Sequence, residues 1–263
     1  MSNIHPTAII DKSAKLHESV KVEPYAIIGK NVTIKANNII GPFCIIENAD
    51  IDEGNEFLAH VCVGTPPQDF GYDKNLKTMV KIGKNNIFRE NFTVHRSTKL
   101  DTPTTIGSGG MFMANAHIGH DCKVGDKVVM VNATGLSGHV EIEDNVVLSG
   151  LIGVHQFCRI GKMTMVSGGA MVVLDIPPYC RAQGDRVKLA GLNLVGLKRN
   201  GFSRETILEI KDVYKQLFLD SGTLKDKISQ LENQKLGKEA MEMVKFCKDS
   251  KRGIASARGG KNE

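Results

Sequence analysis

The chain has no tryptophan, and aromatic residues of any kind make up only 5% of its 263 residues. Those few do not alternate with the lysines and arginines, which argues against a base-stacking platform and so against nucleic acid as a partner. No apolar run approaches the length that crosses a bilayer, so no integral membrane segment is expected, and no stretch has the pattern of a secretory signal. The six cysteines (Cys44, Cys62, Cys122, Cys158, Cys180, Cys247) form no C-x-x-C pair and show no paired spacing. That excludes a disulfide framework or a cysteine zinc cluster, and it fits small buried thiols in the reducing cytosol. Charge of one sign is also scarce: 34 cationic against 29 anionic residues leave +5, enough to welcome an acidic partner without demanding one.

What is abundant is order at a period of six. Ile106, Phe112, Ile118, Val124, Met130, Leu136, Ile142, Leu148, Val154, Ile160, Val166 and Val172 follow one another at six-residue steps. A helix repeats near 3.6 and a strand at 2, so neither alone explains it. A solenoid does. Each hexad supplies a short strand and a turn, three hexads close a triangular coil, and residues eighteen apart stack on one face. Small residues four places after the inward knob (Cys122, Val128, Thr134, Val146, Ala170) suit that packing. In the N-terminal part Ile10, Leu16, Val22, Ile28, Ile34 and Ile40 hold one register. Ile39, Ile45, Ile51, Phe57 and Val63 are read as continuing it one residue out of step, with the doubled Ile39-Ile40 and Ile45-Ile46 absorbing the slip.

Thr65–Met79 and Lys99–Thr105 interrupt the rhythm and are expected to be loops leaving the side of the solenoid that binds ligands. The repeats end at Pro177-Pro178, since proline cannot donate to a strand ladder. The expected architecture is an all-β parallel β-helix over residues 1–180, then a small α-helical domain over 181–263. A short helix is expected at Leu192–Arg199, a longer one from the cap Ser203 to about Leu219, one opened by the Thr223–Asp226 capping box, and one over Lys238–Asp249. Ser250–Glu263, rich in lysine, arginine and glycine, is expected to be a flexible tail.

Chemistry is expected where histidines meet the stacking rule. His120, His139 and His155 lie in the hexads of Ile118, Leu136 and Val154, whose starts are eighteen apart. At about 4.8 Å per coil the three share one wall, with His117 nearby. Neutral imidazoles on a rigid wall suit general-base catalysis. Zinc would need three or four ligands at about 2 Å, which rows one coil apart meet only after reorganisation; solvated histidines with no role are the remaining alternative. Asp121 is placed to orient His120. Gly138 offers a backbone N–H that a reacting carbonyl can approach closely.

Several motifs extend this wall: His117-Ile-Gly-His120-Asp-Cys, Gly138-His139, Val154-His155-Gln156-Phe, Asp175-Ile-Pro-Pro-Tyr and Gly191-Leu-Asn193, continuing to Gly196-Leu-Lys-Arg199 and Gly-Phe-Ser. Over nearly the whole chain this string resembles the UDP-N-acetylglucosamine O-acyltransferases that open lipid A biosynthesis. The resemblance implies a left-handed β-helix, an exception to right-handed crossovers, and a cytoplasmic homotrimer with active sites between subunits. It implies transfer of an (R)-3-hydroxyacyl group from acyl carrier protein to the 3-position of the UDP-sugar, with no cofactor or metal. By the same resemblance His120 is the general base, oriented by Asp121, and the Gly138 N–H holds the oxyanion. Gln68, Asp69, His117, His139 and Gln156 contact sugar or donor, while His155, Asn193 and Arg199 hold the nucleotide end. Lys211 and Lys215 are candidates for docking the acidic carrier. Gly168 stands where the family's chain-length ruler sits and Met171 reaches toward the same groove, which points to a medium to long acyl chain.

Three departures from the family pattern matter. Gln68-Asp69-Phe70-Gly71-Tyr72 has Gly71 where a lysine is usual, Val195 replaces a glutamate, and Asn200 replaces an arginine. Loss of the lysine makes room for a cationic acceptor, so the 3-amino analogue of the sugar stands beside UDP-N-acetylglucosamine as a candidate. The related UDP-3-O-acylglucosamine N-acyltransferase is the alternative enzyme, but it carries a uridine-binding domain ahead of its repeats, and here hexads begin within the first ten residues. A non-catalytic β-helix binding module is the alternative of another class, and it leaves the stacked histidines idle.

Overall fold

The structure is a computed structural model describing residues 3–257. Its solenoid follows from the eighteen-residue rule: Ile118 pairs with Leu136, Leu136 with Val154, and Val154 with Val172, all in parallel. The strands, most of them two residues long, assemble into parallel sheets of nine and eight strands and a third of ten. Alternate residues face in and out of each sheet. The inward knobs from Ile28 to Val172 are buried in one continuous core. Phe57, Phe88 and Phe112 stack there at centroid separations of 4.7 and 5.0 Å. Each triangular coil must also turn sharply at its corners, and left-handed backbone does this. Asn37, Asn85, Asn115 and Asn145 take it at φ of 60, 55, 62 and 58°. Asparagine accepts that region at little cost, whereas most side chains lose about 1–2 kcal/mol there.

The N-terminal register differs from the expectation. Ile40 and Ile46 are fully buried while Ile39 and Ile45 are each 37% exposed. The first register therefore holds through Ile46, and the slip falls between Ile46 and Ile51. The strand Ala49–Ile51 pairs Val32 with Ala49 and Ile34 with Ile51, seventeen residues apart. One residue is dropped at the corner just before this strand.

The ten-stranded sheet continues beyond Tyr179: Cys180–Gln183 pairs in parallel with Met165–Val166, and Lys188–Leu192 returns antiparallel. Helix α1 spans Leu194–Arg199, starting later than Leu192 because that residue ends the strand and Asn193 caps the helix. Helices α2 (Arg204–Phe218), α3 (Leu224–Glu232) and α4 (Lys238–Lys248) follow. Ser203 and Thr223 cap α2 and α3 by accepting from the Thr206 and Asp226 N–H groups at 3.1 and 3.2 Å. No described helix is long and apolar enough to cross a membrane.

Part of the tail departs from the flexible segment that its composition suggests. Residues 250–257 dock on the solenoid, with bridges from Ile254 to Asp175 and from Ala257 to Leu189. Main-chain hydrogen bonds hold them, and composition does not register those. The rest of that segment lies outside the described residues.

Candidate active site

The corner joining the nine-stranded sheet to the eight-stranded one recurs at Gly119–Cys122, Ser137–Val140 and His155–Cys158. Stacking at eighteen aligns His120, Gly138 and Gln156 in one column and Asp121, His139 and Phe157 in the next. The second column has left-handed backbone throughout, at φ of 59, 60 and 65°. Corner hydrogen bonds keep the coils in step: His139 N donates to His120 O at 2.9 Å and Phe157 N to Gly138 O at 3.2 Å. His120, His139 and His155 thus share one corner of the prism.

His120 Nδ1 lies 2.7 Å from Asp121 Oδ2. That carboxylate also accepts from the Thr98 hydroxyl at 2.8 Å and from the Thr98 N–H at 3.1 Å, and its side chain is only 5% exposed. Burial pushes the Asp121 carboxyl up, but the hydrogen bonds from His120 and Thr98 outweigh it and hold the group below its ordinary value. An ionised acceptor at Nδ1 requires the proton there, so the His120 lone pair is on Nε2. The ring lies directly on Gly138. A Cβ at that glycine would stand 2.4 Å from His120 Cε1 and 2.6 Å from Nε2. The Gly138 N–H has no hydrogen-bond acceptor among the described residues. A base and an unengaged donor therefore adjoin on consecutive coils.

His139 packs edge-on to His120 at 5.3 Å and stacks on Phe157 at 4.7 Å, with Nε2 3.6 Å from Asp121 Oδ2. Burial lowers its pKa against the partly compensating Asp121 charge. His139 opens toward a neighbouring cleft of about 590 Å³ shared with Arg159 and Arg252. His117 hydrogen-bonds the Thr93 hydroxyl through Nδ1 at 2.7 Å, and burial depresses it too.

His120, His117, His155, Gln156 and Gly138 line a cleft of about 690 Å³ with Gln68 and Met171. Its floor follows the outward ladder of the nine-stranded sheet, His117, Gly135, Gly153 and Met171, so two side-chain-free positions lie between an imidazole and a thioether. Asp69 belongs to the same insertion as Gln68 and accepts from Gly71 N at 2.8 Å. Arg96 anchors that insertion by donating to the Tyr72 hydroxyl at 3.0 Å and to Glu47 at 3.1 Å.

His95 also lines the cleft, and the repeat pattern did not single it out. It is 7% exposed, 4.8 Å from His117, and pushed down to about 4 by burial and then by the His117 and His120 charges. It is therefore neutral near pH 7. The Lys99–Thr105 interruption hid it, because Thr93 stacks on His117 at a spacing of twenty-four. Gly168, Asn193 and Arg199 do not line the cleft within one chain. The Asn193 side chain is engaged in the fold, accepting from Gly196 N at 3.1 Å and donating to Met163 O at 2.8 Å. Lys211 and Lys215 border a separate apolar hollow of about 380 Å³ with Leu194, Leu208 and Leu219.

One trio among the described residues has metal-ligand character: His120, Asp121 and His139, with ligand atoms within 4.8 Å of one another. Within it both Asp121 oxygens already accept hydrogen bonds, Oδ1 from the Thr98 N–H and Oδ2 from the Thr98 hydroxyl and His120 Nδ1.

Comparison with known proteins agrees with this geometry. Residues 175–255 match the family described as Udp N-acetylglucosamine O-acyltransferase; Domain 2, and residues 13–48 match Bacterial transferase hexapeptide (six repeats). An acyl-[acyl-carrier-protein]--UDP-N-acetylglucosamine O-acyltransferase from Myxococcus xanthus is 44% identical over 97% of this chain and 99% of its own. The crystal structure of the Francisella novicida UDP-N-acetylglucosamine acyltransferase superposes with a TM-score of 0.94 at 37% identity, covering 97% of this chain and 95% of that one. The Campylobacter jejuni UDP-N-acetylglucosamine acyltransferase gives 0.90 at 36%, covering 97% and 100%. With such likeness along both chains, this left-handed β-helical protein belongs to the UDP-N-acetylglucosamine O-acyltransferase family.

Proposed function

We propose that the protein transfers an (R)-3-hydroxyacyl group from acyl carrier protein to the 3-position of UDP-N-acetylglucosamine, the first step of lipid A biosynthesis. The observation that carries this is the His120–Asp121 pair lying on Gly138, whose N–H is unengaged. His120 Nε2 takes the proton of the attacking 3-hydroxyl, and the oxygen bonds to the thioester carbonyl carbon. Charge developing on the carbonyl oxygen is met by the Gly138 N–H. Collapse breaks the carbon–sulfur bond, and the departing thiolate receives the proton from His120. Ionised Asp121 stabilises the imidazolium that forms in between.

The protein acts in the cytoplasm as a homotrimer. Asn193 and Arg199, which do not line the cleft of their own chain, would serve the nucleotide end at a site between subunits. The carrier docks where Lys211 and Lys215 flank the apolar hollow.

Gly71 favours a second acceptor, the 3-amino sugar, because it stands where the family pattern has a lysine and so removes one ammonium that would repel a cation. Incubating the purified protein with both UDP-sugars and a panel of 3-hydroxyacyl carriers tests both readings. Ester formation supports the first, and a clear preference for amide formation supports the second. A clear preference for the 3-hydroxyl rejects the amino sugar, and no transfer to either rejects the function.

Met171 closes one end of the cleft floor, its Sδ 3.0 Å from where a Gly153 Cβ would stand. Replacing Met171 with alanine is expected to favour longer acyl donors by about fourfold per added methylene, from the transfer free energy of one buried CH₂. Mass analysis of products from mixed donors reads this directly. An unchanged distribution clears Met171.

A further inference from the structure

The segment after α4 carries an arginine to the site. Ser250 Oγ donates to Asp175 Oδ2 at 2.7 Å, Asp175 N donates to Gly253 O at 2.9 Å, and Ala255 N donates to Asp175 O at 2.9 Å. Leu189 N donates to Ser256 O at 2.8 Å and secures the far end. Between these anchors Arg252 reaches inward. Its Nε donates to Val173 O at 2.8 Å, and its Nη2 stands 2.8 Å from His155 Nδ1.

A guanidinium is always charged and only donates. The His155 nitrogen facing it must therefore accept, which leaves the ring neutral with its single proton on Nε2. The same ring has a competing partner, because the Gln156 carbonyl lies 3.3 Å from Nδ1 and would demand a proton on that nitrogen. The shorter, charge-assisted contact to Arg252 prevails.

We propose that Arg252 is a positioning residue that locks His155 as an Nε2–H donor, so that the ligand atom taken by His155 is an acceptor oxygen, phosphoryl or carbonyl, of the nucleotide end of the sugar substrate. The ligand half of this rests on the function given above; the ring half does not. Without Arg252 the ring takes its other tautomer, with the proton on Nδ1 donated in a hydrogen bond to the Gln156 carbonyl. Nε2 then presents a lone pair to the same oxygen and repels it.

Long-range proton–nitrogen spectra of the full-length protein, ¹⁵N-labelled at histidine, report the ring directly. The wild type is expected to show His155 with Nδ1 bare and Nε2 protonated, Arg252→Lys to keep that pattern, and Arg252→Met to lose it. A protonated Nδ1 in the wild type overturns the proposal with no variant needed, and so does an unchanged ring in a folded Arg252→Met protein. In the kinetic arm Arg252→Met is expected to raise KM for UDP-N-acetylglucosamine about tenfold, from one lost charge-assisted hydrogen bond, with kcat within about threefold. Arg252→Lys should recover most of this. In a His155→Phe background the same change should add less than about twofold. Equal losses in both backgrounds show that Arg252 acts through the fold and not through His155, which overturns the proposal. A wild type inactive on the UDP-sugar sinks the functional reading but leaves the ring tautomer standing as a separate result.

Discussion

Changing His120 to alanine is expected to lower kcat by about 10²–10⁴-fold, the range for loss of a positioned general base. KM for the UDP-sugar should change far less, since the side chain acts on one proton and Gln68, His117 and Gln156 remain in the cleft. The ring is a corner side chain rather than a core knob, so the solenoid should keep its thermal midpoint. Asp121→Asn belongs to the same experiment. The amide can turn its NH₂ toward Nδ1 and stabilise the tautomer with the proton on Nε2, where it blocks the attack, so a loss of about 10²-fold or more in kcat is expected. Steady-state kcat and KM of both variants beside the wild type read these losses. Retention of more than a tenth of wild-type kcat in His120→Ala rules out this residue as the base.

The period of six exposed the solenoid because geometry enforces it: every inward position must fill the same triangular core, and a polar residue is admitted only where the coils supply a partner, as for Asn38, Asn55 and Asn86. The same logic gave the shared corner of His120, His139 and His155, since eighteen residues return the chain to the same place. The pattern failed where both residues of a strand were apolar. Ile39-Ile40 and Ile45-Ile46 look alike in sequence, yet Ile39 and Ile45 face outward, and burial is a property of the closed coil. His95 escaped because an intervening loop changed the stacking interval to twenty-four. Arg252 escaped for another reason. Its segment is polar and docks through main-chain bonds to Asp175 and Leu189, which leave no apolar periodicity to read. Thr98, which completes the Asp121 environment, lies beside an interruption where no repeat fixes the neighbours.

Gly138→Ala is expected to be nearly as damaging as loss of the base, about 10²-fold or more in kcat, although it adds a single methyl group. The added carbon would sit 2.4 Å from His120 Cε1 and 2.6 Å from Nε2, well inside van der Waals contact. The coil cannot retreat, because the Phe157 N–H bond to Gly138 O and the His139 N–H bond to His120 O fix its spacing on both sides. The imidazole must swing away, and doing so breaks the 2.7 Å contact with Asp121 and removes Nε2 from the Gly138 N–H. One substitution thus separates the base from both its orienting carboxylate and the donor for the oxyanion. Folding should survive, since the clash is at an open corner rather than in the packed interior. The measurement is kcat beside the thermal midpoint and the affinity for the UDP-sugar. Near-normal kcat in a folded Gly138→Ala protein would mean that His120 does not work from the position it holds against this glycine, and the proposed acyl-transfer geometry would fall with it.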